Sequence, residues 1–274
     1  MDREYAERYG QFEQWHWWFR GRQRIIVEVL RRELGGRAAH WIGSVGSGPA
    51  EGLSWVKAVG GATARVVGID ADLMHARRVV PGLDYVVGDL AAMPFAPASL
   101  DAILALDVLE HLDDDSAGLR EAARLLGPGG LLLVTVPALP SLWGAQDVIN
   151  HHRRRYTRKT LSDAFARAGL PRPSITYFNT LLFPPVAVAR WVRRALGSPA
   201  RARSDFDDNR PGLLNDVLAG VFARASPCLP RADAGRREPA GHRARGLIPR
   251  PRRRDVALRD FPNAVRLAVP PETR

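Results

Sequence analysis

The chain has 274 residues, enough for one sizeable core with a small appendage, because single domains usually run to about 100–250 residues. Its lone cysteine, Cys228, excludes an internal disulfide framework, and its charged start and lack of a run of about 18 apolar residues argue against a secretory leader or a membrane-spanning helix, so the expected compartment is the cytoplasm. The net charge of +11 sits mostly in the tail, where Arg224–Arg274 holds 13 Arg against 5 acidic residues while the rest carries 27 basic and 24 acidic side chains, so a nucleic-acid face on the main body is not expected.

Residues 1–38 read as a helical N-terminal lid. Ile25, Ile26, Val29 and Leu30 recur at helical spacing, and the cluster Trp15-His16-Trp17-Trp18-Phe19 precedes them. Those aromatics suit either core packing or a cover over a ligand pocket. From residue 39 to 180 short apolar runs alternate with helical patterns, as in a mostly parallel sheet with helices on both faces. The expected strands are His40–Val45, Arg65–Ile69, Tyr85–Gly88, Asp101–Ala105, Leu131–Pro137 and Ile175–Phe178. Asp113–Asp115 should cap a helix over Ala117–Leu126 that stops at Gly127-Pro128-Gly129-Gly130, and Thr157 should cap Arg158–Ala168.

Residues 181–223 read as a helical cap over the substrate. Pro184-Pro185 should start a helix whose apolar side (Val186, Val188, Ala189, Val192) opposes Arg190, Arg193 and Arg194, which suits a solvated face or peripheral contact with an anionic membrane. Residues 224–274 hold 8 of the 21 prolines and little apolar periodicity, so a disordered tail is expected there.

The chemistry gathers at the strand ends. After the first strand comes Gly43-Ser44-Val45-Gly46-Ser47-Gly48, whose glycines let backbone pass close to a ligand at the start of a helix. The second strand ends in Asp70-Ala71, where a carboxylate can accept from both ribose hydroxyls of an adenosine. The third ends in Asp89-Leu90, suited to an exocyclic amine. The fourth leads into Asp107, Glu110 and His111. Four such sites at the carboxyl ends of neighbouring strands define one crevice.

This series resembles the class I S-adenosylmethionine-dependent methyltransferases, in particular a bacterial group carrying HWWFRGR, ALDVLEHL, a PGG turn and NHHRRRYT, here His16–Arg22, Ala105–Leu112, Gly127–Gly130 and Asn150–Thr157. The resemblance runs from about His16 to Ala223, and it implies a methyltransferase domain over residues 1–223. It implies a Rossmann-like, doubly wound α/β sheet of the seven-stranded type, with the final antiparallel strand missing or altered and Asn263–Val269 its only candidate. It implies S-adenosyl-L-methionine as cofactor and methyl transfer to an oxygen or nitrogen of a small-molecule or lipid-linked acceptor. Ser44, Gly46 and Gly48 would then meet the methionine part, Asp70 and Ala71 the ribose, Asp89 and Leu90 the adenine, and Asp107 the neighbourhood of the sulfonium.

Some quinone-pathway O-methyltransferases place a carboxylate, a Glu and a His near such a fourth strand to bind a divalent cation, as Asp107, Glu110 and His111 could. Adjacent Glu and His diverge on a helix, so no metal ligand is assigned from sequence. His151, His152 and Tyr156 are the candidate catalytic residues, the histidines as general bases. Arg153–Arg155 could clamp an anionic substrate or form a solvated turn. The family's first motif usually reads Asp-Val-Gly-Cys-Gly-x-Gly. Here Ser44 replaces the acid and Ala50 the last glycine. That change keeps open a binding module of this fold with little catalysis. A nicotinamide-dependent oxidoreductase is the other alternative, although Glu51 stands where its fingerprint wants a small residue.

Overall fold

The computed structural model describes residues 11–37, 39–48, 53–61, 63–72, 83–180 and 211–224, with isolated positions between 183 and 192. Helix α1 (Trp17–Leu34) begins at His16, whose extended backbone and Nδ1 acceptor for the Trp18 N–H form the N-cap. It ends at Gly35, where φ of 55° closes a left-handed cap back to the Arg31 carbonyl. Ile26, Leu30 and Leu34 recur every four residues and lay one face on the sheet.

Five parallel strands follow: β1 (Trp41–Val45), β2 (Arg65–Asp70), β3 (Asp84–Val87), β4 (Leu100–Leu106) and β5 (Leu126–Thr135), in the order β3-β2-β1-β4-β5. Alternation along the strands divides the core into two layers. Ala102 and Leu104 of β4 meet Ile26, Leu30, Ile42 and Val66 on the α1 side, with helix α2 (Ser54–Gly60) contributing Val56. Ile103 and Ala105 meet Val45, Val67 and Ile69 on the opposite face, covered by Leu119, Ala122 and Leu125 of helix α3 (Asp115–Leu125). Asp114 caps α3 by accepting from the Ser116 and Ala117 amides. Full burial of a side chain such as Leu30 or Leu104 contributes about 1.5–3 kcal/mol.

Beyond the sheet, the short helix α4 (Ala145–Ile149) and the Thr157-capped helix α5 (Arg158–Arg167) complete the α/β core. Helix α6 (Leu213–Arg224) packs on α1, with Phe222 against Gly21 and the Trp17 ring, and Asn215 accepting from the Trp17 N–H at 3.1 Å. A Cβ on Gly21 would lie 2.3 Å from the Phe222 ring, so the two helices meet where a side chain is missing.

The doubly wound α/β architecture read from the sequence is present, with five strands among the described residues instead of seven. Three local expectations change. Ile175–Phe178 forms no strand among the described residues. A short run of Ile, Thr and Tyr becomes a strand only where a neighbour offers a ladder, and the proline-rich Pro171–Pro173 approach removes donors just before it. The PGG turn lies inside β5, looping out between the pairs Leu100↔Leu126 and Ala102↔Leu131 with Gly129 at φ of 73°. The helix ahead of it starts at Asp115, two residues earlier than expected. Asn263–Val269, the Arg/Pro-rich tail beyond Arg224 and most of the basic amphipathic segment lie outside the described residues. Among those described, no helix is long and apolar enough to cross a membrane.

Candidate active site

The strand order reverses between β1 and β4, so the loops leaving their carboxyl ends part and leave a crevice. On the β1 side, Gly46 and Gly48 both adopt φ of 59°, open to glycine at little cost. A Cβ on Gly46 would lie 2.6 Å from Val108 of the β4 loop, whereas one on Gly48 would meet none of the described residues within 4 Å. The first glycine therefore permits the two loops to touch. Ser44 is buried in β1, one strand position before the turn.

Asp70 terminates β2 and ties this loop down. Its Oδ2 accepts from the Gly48 N–H and its Oδ1 from the Asp72 N–H, both at 2.9 Å, while Ala71 is exposed. The Tyr85 hydroxyl donates to the Gly48 carbonyl at 2.5 Å and lies 3.0 Å from Ser47 Oγ. Burial, reinforced by the Asp70 charge, pushes the Tyr85 phenol above its ordinary range, so it remains a donor. After β3, Asp89 accepts from the Ala91 N–H at 2.8 Å, and the Leu90 side chain is buried in the core, leaving its backbone for any ligand contact.

On the β4 side Asp107 has φ of 58° and faces α1. Its Oδ2 lies 2.6 Å from Arg22 Nη2, and its Oδ1 accepts from the Thr135 hydroxyl at 3.1 Å. Arg22 also reaches Thr135 and stacks 5.0 Å from the Trp18 ring, while its buried Nε has no hydrogen-bond partner. The lid helix thus puts a cation, with one donor to spare, beside Asp107 at the β4 side of the crevice. Sequence reading placed Arg22 in a motif and gave it no role, because the pairing with Asp107 spans 85 positions.

Just beyond lie Glu110, His111, Asp147 and His152. His152 Nδ1 is 2.9 Å from Asp147 Oδ1, and its Nε2 is 3.9 Å from Glu110 Oε1. Asp147 is fully buried and also accepts from Arg155 Nε at 2.7 Å and the Gly144 N–H at 2.8 Å. Burial alone would raise its pKa, but the His152 and Arg155 bonds outweigh that and hold it at about 2. Glu110 is driven the opposite way, well above the usual carboxylate range, by burial and then by the Asp107 charge. Burial, with His152 next, lowers His111 to about 4, so it is neutral at physiological pH. The donor set Glu110, His111 and His152 is able to hold a metal ion.

The other candidate residues stand apart from that group. His151 is exposed, with φ of 55°. Tyr156 is buried, and its hydroxyl donates to Asp115 Oδ2 at 3.0 Å and the Leu109 carbonyl at 3.2 Å. Arg153, Arg154 and Arg155 all bond to the protein itself, at the His111, Leu112 and Ala138 carbonyls respectively. Those bonds explain the NHHRRRYT run as a buttress under the β4 loop.

Acid should loosen the lid first. His16, 1% exposed, is held near a pKa of about 4 by burial, against roughly 6.5 for a free histidine. Between those values the unfolded chain binds a proton that the folded one refuses. Stability is then complete above about pH 6.5 and falls toward pH 4, by up to ~3 kcal/mol from this group. Urea unfolding at pH 7.5, 6 and 5 should show the decline, and His16→Asn, which keeps an N-cap acceptor, should reduce it. His111 acts in the same direction and accounts for the slope that remains. An identical slope in the variant would exclude His16 as a source.

Comparison with known proteins shows the family. Residues 44–134 match the methyltransferase domain family. A trans-aconitate 2-methyltransferase of Azoarcus is 32% identical over 220 residues, covering 72% of this chain and 78% of its own. The chain belongs to the class I S-adenosylmethionine-dependent methyltransferases. An S-adenosylmethionine-dependent methyltransferase of Mycolicibacterium smegmatis shares 27% identity over 225 residues, covering 74% of this chain and 85% of its own. Among solved structures, the complex of the Haloferax volcanii Trm112 methyltransferase activator with a methyltransferase aligns at 20% identity and a TM-score of 0.49, over 68% of this chain and 89% of the other. S-adenosylmethionine is accordingly the methyltransferase's cofactor, and the left-handed glycine turn at Gly46 and Gly48 and the strand-end carboxylates fit it.

Proposed function

We propose that this methyltransferase moves a methyl group from S-adenosylmethionine to an oxygen or nitrogen of a small-molecule or lipid-linked acceptor that enters beside His111 and His152. The observation that carries this reading is the His152–Asp147 pair, which lies just beyond the Asp107 loop and turns the Nε2 of a positioned imidazole away from Asp147. Ser44, Gly46 and Gly48 flank the methionine part, Asp70 and Ala71 the ribose, Asp89 and the Leu90 backbone the adenine, and Asp107 the sulfonium end. Bound S-adenosylmethionine supplies the methyl group. Asp147 holds the His152 tautomer so that Nε2 can take the acceptor's proton, a contribution of about 10²–10⁴-fold where a proton must leave. Placing the acceptor in line supplies the larger part of the rate. His151 and Tyr156 act on the loop that carries His152 and not on the acceptor.

Titrating S-adenosylmethionine, and separately NADH, into the protein tests the reading. Binding of the first alone is expected, and binding of neither would favour a binding module of this fold whose ligand differs. Asp70→Ala should weaken S-adenosylmethionine by roughly the 1.5–3 kcal/mol typical of hydrogen bonds to a charged group, about 10- to 150-fold. Unchanged affinity would remove Asp70 from the ribose.

A further inference from the structure

Glu110 is the most costly side chain in the crevice. It is fully buried, and neither carboxylate oxygen has a hydrogen-bond partner. Buried polar groups are almost always satisfied, and an orphaned one calls for a reason. Two imidazoles face it. The ring centroids of His111 and His152 lie 4.8 Å apart, and the ligand atoms of Glu110, His111 and His152 all fall within 4.8 Å of one another.

His152 is oriented in the way a metal-bound histidine is. Its Nδ1 is engaged by Asp147, itself fixed by Arg155 and the Gly144 amide, which fixes the tautomer and leaves the Nε2 lone pair toward Glu110. The backbone also joins the two ligand-bearing segments, through Arg153 N–H to the Glu110 carbonyl and His152 N–H to the Asp147 carbonyl, each at 2.8 Å. Asp107 does not belong to the set, because Arg22 and Thr135 already satisfy its carboxylate.

We propose that Glu110, His111 and His152 form a site for one divalent first-row transition cation, with Asp147 as the outer carboxylate. Two imidazoles and one carboxylate suit Zn²⁺, Mn²⁺ or Co²⁺ better than Mg²⁺ or Ca²⁺, which favour all-oxygen shells. Ligands at about 2.0–2.2 Å from a shared ion are roughly 3.4 Å apart, so the set closes by about 1 Å on loading, within reach of side-chain torsions. Three protein ligands leave a position for an acceptor oxygen, which the ion would polarise. This role rests on the proposed acceptor site. When the ion is bound, Nε2 of His152 is a ligand, and the polarised oxygen would pass its proton to solvent water as the bond to the methyl group forms.

The test uses the full chain, stripped with a chelator and dialysed. Zn²⁺ is titrated by calorimetry, Co²⁺ by its visible absorption, and S-adenosylhomocysteine in parallel. One equivalent of Zn²⁺ should bind at micromolar concentration or tighter, with Co²⁺ bands of imidazole coordination. Glu110→Gln and His111→Ala should each weaken Zn²⁺ by about 100-fold or more, and Asp147→Asn by about 10- to 100-fold. Variants that still bind S-adenosylhomocysteine are folded, and either first-listed variant alone suffices if the other is not. No Zn²⁺ binding by the wild type, or equal binding in the folded variants, would overturn the metal site. If S-adenosylhomocysteine still binds, the methyltransferase reading stands without it; if that ligand also fails, the reading beneath fails too.

Discussion

Alanine at position 46 is expected to cost the protein about 2–5 kcal/mol and to remove most of its cofactor affinity. Gly46 sits at φ of 59°, where an L side chain costs roughly 1–2 kcal/mol. The new methyl would stand 2.6 Å from Val108 Cγ2 and 3.5 Å from its Cγ1. Crowding of that kind typically adds 1–3 kcal/mol as neighbours shift. The neighbour here is the residue after Asp107, so relief of the clash moves the β4 loop away from the β1 loop at the mouth of the crevice. Gly48→Ala provides the comparison, since it has the same φ and no described residue within 4 Å. It should lose the strain alone, about 1–2 kcal/mol, and its effect on S-adenosylhomocysteine should exceed its effect on folding if this glycine flanks the cofactor as proposed. Denaturant unfolding and calorimetry of the two variants separate these terms. A Gly46→Ala protein within about 0.5 kcal/mol of wild type would mean the loops do not touch as described.

The parts of this site that the sequence reveals are local. Glycines after β1, the carboxylate Asp89 after β3, and the caps Asp114 and Thr157 each act within a few residues of their own backbone, and Asp70 at the end of β2 does so toward Asp72 while also reaching Gly48 from 22 positions away. Turn and cap chemistry needs no knowledge of the rest of the fold, so these positions could be read directly. The pairings that set the chemistry are of another kind. Arg22 meets Asp107 from a different element, and Glu110 meets His152 across 42 positions, contacts fixed only once the lid and the loop after β5 are laid over the sheet. The three arginines after His152 show the same limit, since a run of like charges looks solvated until each finds a carbonyl or carboxylate beneath it. Asp147 lies five residues before His152, close enough that a carboxylate partner for that histidine could have been sought there. The unpaired Ile175–Phe178 run erred in the opposite direction, because propensity is local but a ladder needs a neighbour.

Removing the Asp147 carboxylate should have the second large effect, and a diagnostic one. In Asp147→Ala the Arg155 guanidinium, 9% exposed, keeps the Ala138 carbonyl and loses its counter-ion. Breaking a buried pair by deleting one member usually costs 3–5 kcal/mol, because the charge left behind stays buried. The pH dependence of the wild type gives an independent view. With its pKa held near 2, against about 3.9 in an unfolded chain, Asp147 contributes stability that is complete above about pH 4 and is lost as pH falls toward 2. That acid limb should be shallower in Asp147→Asn, which preserves volume and one acceptor but no charge. Stability alone cannot distinguish a buttress from a residue that positions His152, so the decisive readout is catalytic. If Asp147 positions His152, kcat per folded molecule should fall in Asp147→Asn while KM for S-adenosylmethionine hardly moves. A variant that is less stable yet has wild-type kcat and KM would show that the carboxylate holds the loop together and does not position His152 for the reaction.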